Sequence, residues 1–176
     1  MNNLFIELRN LFKLIENYNC FVCSDTNPIG LNLDIQFGKD SAYAFFNLSN
    51  LYSGFPSVVH GGIQATIIDE IGFWAMFNTI KRLGFTKSLS VEYLSTIEVN
   101  KELNAVGKIV SAINDLVSVE VEILSNSRTK TRGVVEYKLI SDNLIKKYFG
   151  LEFHQNFNRI INNDQTLRSS FIRKLL

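Results

Sequence analysis

Asp69 and Glu70 stand side by side in a stretch, Gly61 to about Lys81, that has no proline and is apolar on nearly every face. A helix that is apolar almost all round is a buried one. A carboxylate buried in it is costly unless it has partners or a task. The same stretch opens with Val59-His60-Gly61-Gly62. Glycines are poor helix formers, and a pair of them suits a place where the backbone must come close to something. The first N–H groups of a helix have no internal partner and sit at the positive end of its dipole. Those of Gly61 and Gly62 are therefore able to hold a carbonyl oxygen as it becomes negative. A tight turn with close helix–strand packing would use the same two glycines. Gly62 and Asp69 are seven residues apart, two turns, and so share a helix face, whereas Glu70 lies about 100° round and is free to reach solvent or a strand edge. Asp69 is the candidate nucleophile or general base.

Two turns is roughly 11 Å along the axis. A nucleophile, or the water it activates, must lie about 3 Å from the carbonyl carbon. One helix cannot bring its own Asp69 that close to a carbonyl held by its own Gly61. If both act on one substrate, the glycines of one chain must meet Asp69 of another. The expectation is at least a dimer, with two long helices antiparallel and each site shared.

Elements must position these residues. Leu4, Phe5, Leu8, Leu11, Phe12 and Ile15 recur at helical spacing and predict an amphipathic helix over residues 3–17. Cys23 to Gly30 is turn chemistry throughout, followed by strand candidates at Leu31–Phe37 and Ala42–Leu48 and a break at Ser53-Gly54-Phe55-Pro56. After Gly84 the apolar period changes from helical to two. Leu89, Val91 and Tyr93 alternate with polar residues, and so do Val117, Val119, Val121 and Ile123. Turns at Asn114-Asp115 and Ser125–Arg128 precede a last strand at Thr131–Ile140, giving a meander of about four antiparallel strands. An α+β arrangement follows: one sheet of about five to six strands wrapped round one long helix. Residues 142–176 read as one or two terminal helices. The domain reading is an N-terminal helix over 1–18, a central domain over 19–141 and a helical extension over 142–176.

The 176 residues suit one domain with a proper core. The net charge of +1 gives no electrostatic case for nucleic acid or an anionic membrane surface, and no apolar run approaches the roughly 20 residues of a membrane span. The first residues lack the apolar centre of a signal peptide, and the reading is a cytoplasmic protein. Cys20 and Cys23 form one C-x-x-C. A structural zinc site needs about four ligands, and His60 and His154 are remote in sequence, so the pair reads as two reduced cysteines in a turn.

His60-Gly-Gly-Ile-Gln-Ala-Thr-Ile-Ile-Asp69-Glu70 resembles the signature of the PaaI-type hotdog thioesterases, His-Gly-Gly, six variable residues, then Asp. Cys20-Phe-Val-Cys with Asn27-Pro-Ile-Gly-Leu31, Gly54-Phe-Pro-x-Val-Val-His60 and Thr86-Lys-Ser-Leu-Ser-Val-Glu-Tyr93 are similar to further segments of this group. The likeness covers about residues 19–140. It implies a hotdog fold and hydrolysis of a thioester, of acyl-CoA or acyl carrier protein, by dimers or dimers of dimers. It implies Asp69 as nucleophile or base, the Gly61 N–H as the group polarising the carbonyl, and Thr86 as the hydroxyl assisting the Asp or the water. His60 would position the loop or the thioester, unless it merely caps or packs; Gly62 and Glu70 line the same substrate region. No metal or bound cofactor is implied.

Many relatives carry an Asn or Gln a few residues before His-Gly-Gly, to hold the attacking water. Here Ser53 and Gly54 stand there, and Asn50 substitutes only if the loop is rearranged. That departure favours an alternative, a hotdog that binds acyl-CoA without turning it over; a pure assembly role is a third reading, which leaves Gly61, Gly62 and Asp69 unexplained. Asp25-Thr-Asn-Pro-Ile-Gly30 mimics a motif of hotdog hydratases, but Gly30 replaces its final His, so it reads as a coincidental turn.

Overall fold

A computed structural model describes residues 3–175, with side chains over 4–164. Its elements run α1 (Asn3–Phe12), β1 (Gln36–Phe37), β2 (Ala42–Asn47), β3 (Ser53–Phe55), β4 (Val58–Val59), α2 (Gly61–Ile80), β5 (Gly84–Tyr93), β6 (Glu102–Ile113), β7 (Leu116–Ser125), β8 (Arg128–Leu139), α3 (Asp142–Phe149) and α4 (Leu151–Leu175). They form two compact units, Cys20–Ile140 and the terminal segments Met1–Asn19 with Ser141–Leu176.

In the larger unit six strands make one antiparallel sheet in the order β1-β2-β6-β7-β8-β5, and β3 pairs with β4 apart from it. The alternation read in the sequence does what a period of two must do. Val117, Val119, Val121 and Ile123 are buried, and Val135 and Tyr137 of β8 and Leu103 and Ala105 of β6 join them. Against this face lies α2, with Ile67, Ile68, Ile71, Trp74, Ala75, Met76 and Phe77 buried. The tight connections follow turn chemistry: Asn126 and Ser127, both at positive φ, close the β7–β8 hairpin between the paired Ser125 and Arg128. Lys81, also left-handed, ends α2. The sheet wrapped on one long helix is the hotdog arrangement, as the sequence predicts.

Two expected elements are shorter. The strand expected at Leu31–Phe37 survives only as Gln36–Phe37. Leu31 and Leu33 instead donate their N–H groups to Phe21 O and Val22 O, both at 2.8 Å, so the segment is spent on the C-x-x-C turn and not on the sheet. The helix expected over 3–17 ends at Phe12, where the backbone bonds tighten to i→i+3 (Leu14 to Leu11, Ile15 to Phe12) and Asn17 takes a positive φ.

In the smaller unit α1 buries Leu4, Phe5, Leu8, Leu11 and Phe12, its predicted stripe, while Ile145, Phe153, Phe157 and Ile161 are buried from α3 and α4. The Phe12 ring lies 5.4 Å from that of Phe153. Ser141 caps α3 by accepting the Leu144 N–H.

One packing detail fixes the middle of α2. Gly72 lets Tyr137 pass: a Cβ there would lie 2.5 Å from the Tyr137 hydroxyl. Gly72→Ala should therefore lower stability to urea by about 1–3 kcal/mol. Adding Tyr137→Phe, which removes the clashing oxygen, should recover part of that loss; no recovery would place the cost elsewhere.

Candidate functional site

The Asp69 carboxylate lies half-buried on α2, and Thr86 of β5 donates its hydroxyl to Oδ1 at 2.7 Å. The two residues named from the sequence, seventeen apart, are in contact. A register shift in the β5–β8 pairing between Thr86 and Ser88 leaves Lys87 as an extra residue. Such a bulge re-aims a side chain, and here Thr86 is the one beside it. Burial pushes the Asp69 carboxyl above its usual range, and the Thr86 hydrogen bond works against that shift.

Tyr137, unnoticed in the sequence, holds the same turn of helix from behind. It is fully buried and donates its hydroxyl to the Asp69 backbone carbonyl at 2.6 Å. Its signal in the sequence is only an aromatic at an inward strand position. Gln64 is a second such residue. Buried one turn into α2, it donates to Val59 O at 3.1 Å and accepts a hydrogen bond from Thr131 of β8, tying the start of the helix to the sheet.

At that start His60 is the N-cap: its Nδ1 accepts the Gly62 N–H at 2.8 Å. Of the two N–H groups expected to face a carbonyl, Gly62's is thus taken. Gly61's has no hydrogen-bond partner among the described residues. The glycines also serve close packing. A Cβ on Gly61 would stand 3.2 Å from the Tyr93 ring, whose hydroxyl donates to Gly61 O at 2.9 Å, and one on Gly62 would stand 3.0 Å from His60 Nδ1.

The remaining residues lie elsewhere. Asn50, on a 3-10 turn, accepts a hydrogen bond from Asn100 Nδ2 at 3.5 Å, and Thr86 is the residue hydrogen-bonded to the Asp69 carboxylate. Gly54 has a reason for lacking a side chain: a Cβ would begin 3.0 Å from His60 Cδ2. Glu70, expected to reach solvent or a strand edge, turns instead to a loop and to its own helix. Trp74 Nε1 donates to its Oε1 at 2.7 Å, and its Oε2 lies 3.5 Å from Cys20 Sγ, so it turns toward the C-x-x-C. Burial, ahead of the charge on Cys20, pushes Glu70 up to about 8. The hydratase-like motif is a turn, in which Gly30 donates to Asn27 O and a side chain at Gly30 would strike Phe21 O at 2.7 Å.

Asp69 and Gly61 thus sit on one helix, eight residues or about 12 Å apart and roughly 80° round from each other. The arrangement can hold a carboxylate ready beside a hydroxyl and, separately, offer one N–H at a helix start.

Residues 57–132 match the family model of the thioesterase superfamily. No curated protein matches the chain. Among solved structures it is similar to a thioesterase superfamily protein (TM-score 0.59, 21% identity), covering 63% of this chain and 58% of that one, less than two thirds of its length. It is similar to a hypothetical thioesterase from Streptococcus pneumoniae solved with coenzyme A (0.58, 18%), covering 62% of this chain and 90% of that one. Zebra fish thioesterase superfamily member 2 matches over 76% of this chain and 96% of its own (0.62, 13%). The hotdog fold and the superfamily-level resemblance are borne out; the PaaI type is not specified by these matches. Among the described residues no helix is long and apolar enough to cross a membrane.

Because His60 works as a cap, His60→Ala should cost about 1 kcal/mol of stability. His60→Asn, which can accept the same N–H, should restore most of it. Equal losses in urea unfolding for the two variants would contradict the capping role.

Proposed function

On a hotdog fold whose residues 57–132 carry the sequence of the thioesterase superfamily, we propose that this chain hydrolyses an acyl thioester, of coenzyme A or an acyl carrier protein, using Asp69. The observation that carries the reading is the Thr86 hydroxyl on the Asp69 carboxylate at 2.7 Å, in the middle of an otherwise apolar helix. Asp69 either attacks the carbonyl carbon, giving an anhydride that water then opens, or takes a proton from the water that attacks. Both routes convert thioester and water into carboxylic acid and thiol. The Gly61 N–H stabilises the developing oxyanion, and His60 keeps the loop shaped for it by capping.

The spacing along α2 requires the Gly61 of a second copy to face Asp69, so the active form is a dimer or a dimer of dimers. Two features support a second copy. β5 ends the sheet with an unpaired edge, and Phe85, Leu89, Tyr93 and Leu94, on or just after it, are exposed apolar side chains. An open cleft of about 420 Å³ supports a phosphate-bearing thioester. Lys101, Arg128 and Lys130 help to line it, and Ile97 in its wall accepts the Val59 N–H at 2.9 Å, two residues before α2. Cations there suit the phosphates of coenzyme A.

The second reading, acyl-CoA binding without turnover, is favoured by one observation: Gly54 lies against His60 where relatives place a water-holding amide. Thiol release from short, long and aromatic acyl-CoAs separates the two, with a protein-only blank because Cys20 and Cys23 consume thiol reagents. Wild type should release thiol from at least one of them. Asp69→Asn should cut turnover roughly 100-fold or more while leaving the fold and oligomer intact. Measurable acyl-CoA binding with no release would establish the binding module instead.

A further inference from the structure

Away from Thr86, on the other side of the Asp69-Glu70 pair, the sulfurs of Cys20 and Cys23 and a carboxylate oxygen of Glu70 all lie within 4.8 Å of one another. From these residues we infer a binding site for one thiophilic divalent cation, zinc foremost, with Cys20, Cys23 and Glu70 as its protein ligands and a fourth position open to water or an exogenous ligand.

The chemistry of the donors selects the ion. Two sulfurs and one carboxylate oxygen suit zinc and its d-block neighbours and do not suit magnesium or calcium, which take oxygen. The spacing suits it too. Tetrahedral coordination at ordinary zinc–sulfur and zinc–oxygen lengths sets ligand atoms roughly 3.5–3.8 Å apart. Cys20 Sγ and Glu70 Oε2 are already at 3.5 Å, and the whole set needs only a small contraction.

The surroundings are built to hold the donors in place. The Val22 and Cys23 N–H groups point at Cys20 Sγ, at 3.3 and 3.4 Å, which stabilises a thiolate. Trp74 Nε1 binds Oε1 of Glu70 and leaves Oε2 toward the sulfurs, the orienting contact that metal-binding carboxylates generally have. The backbone bonds from Leu31 and Leu33 to Phe21 and Val22 brace the turn. Cys23 is buried and Cys20 only partly so, which gives an ion a way in from the surface.

A sequence reading finds two ligands and stops, because the third comes from 47 residues beyond Cys23, on the central helix. The consequence is mechanical. A bound ion would staple the C-x-x-C turn to the helix residue next to Asp69, and so fix the turn of α2 that carries it.

The test uses the full chain, freed of metal with chelator and reductant and kept from air, and titrated with cobalt(II). The expected result is one ion per chain, with a sulfur-to-cobalt charge-transfer band in the near ultraviolet, tetrahedral bands in the visible, and displacement of both by zinc. Cys23→Ser should lose much of the near-ultraviolet band; if it does not fold, the partly exposed Cys20→Ser takes its place. Glu70→Gln keeps both sulfurs and should weaken zinc binding at least tenfold. Zinc should raise the Tm of wild type and leave that of Cys20→Ser unchanged. Absence of charge-transfer absorption at stoichiometric cobalt in the fully reduced chain would overturn the site, and so would identical titrations of wild type and Glu70→Gln.

Discussion

An α-helix rises about 1.5 Å per residue and cannot be shortened. That constraint governs everything else in this protein. Gly61 opens α2 and Asp69 sits two turns and a little more along it, so one helix holds a carboxylate and a helix-start N–H about 12 Å apart. Both are explained as parts of one reaction only if two copies bring opposite ends of two such helices together. The exposed apolar edge at β5 would give such a pairing somewhere to form.

The rest of the larger unit serves to keep Asp69 fixed. A carboxylate in an apolar helix is expensive, and its cost is offset by Thr86 in front, delivered by the irregularity at Lys87 in β5. Behind it, Tyr137 takes the backbone carbonyl, and Gly72 is the residue that lets it through. At the start of the helix, His60 and Gln64 use their side chains on backbone groups and leave the Gly61 N–H open. Apart from the local His60 cap, each of these contacts crosses between α2 and the sheet or loop beside it, so packing and site are one construction.

How much of this was legible in the sequence depends on whether the signal was local. The central helix and the four long strands follow from periods of 3.6 and two, and the hairpin turns from Asn and Ser at positive φ. Asp69 stood out as a charge in an apolar helix as well as through the family resemblance, Thr86 through the resemblance alone, and the structure puts them in contact. Leu31–Leu33 misled because alternating apolar residues look like a strand whether their N–H groups meet a sheet or, as here, the turn at Phe21 and Val22. Glu70 misled for the opposite reason. Its partners, Cys20 and Trp74, are respectively fifty residues and one helical turn away, and only the fold shows that both lie on its side of α2. Gly54 is similar: nothing local says that the ring of His60 occupies the space a side chain would need.

The claim that most depends on the helix constraint is the shared site, and subunit mixing tests it most directly. Asp69→Asn lacks the carboxylate, and Gly61→Pro lacks the N–H at the helix start; each alone should be nearly inactive. When the two are mixed and allowed to exchange subunits, half of the dimers should be mixed, and each of those should regain one intact site. Recovery to about a quarter of wild-type thiol release is therefore expected. Activity that stays at the sum of the two variants, although mixed dimers are shown to form, would contradict it.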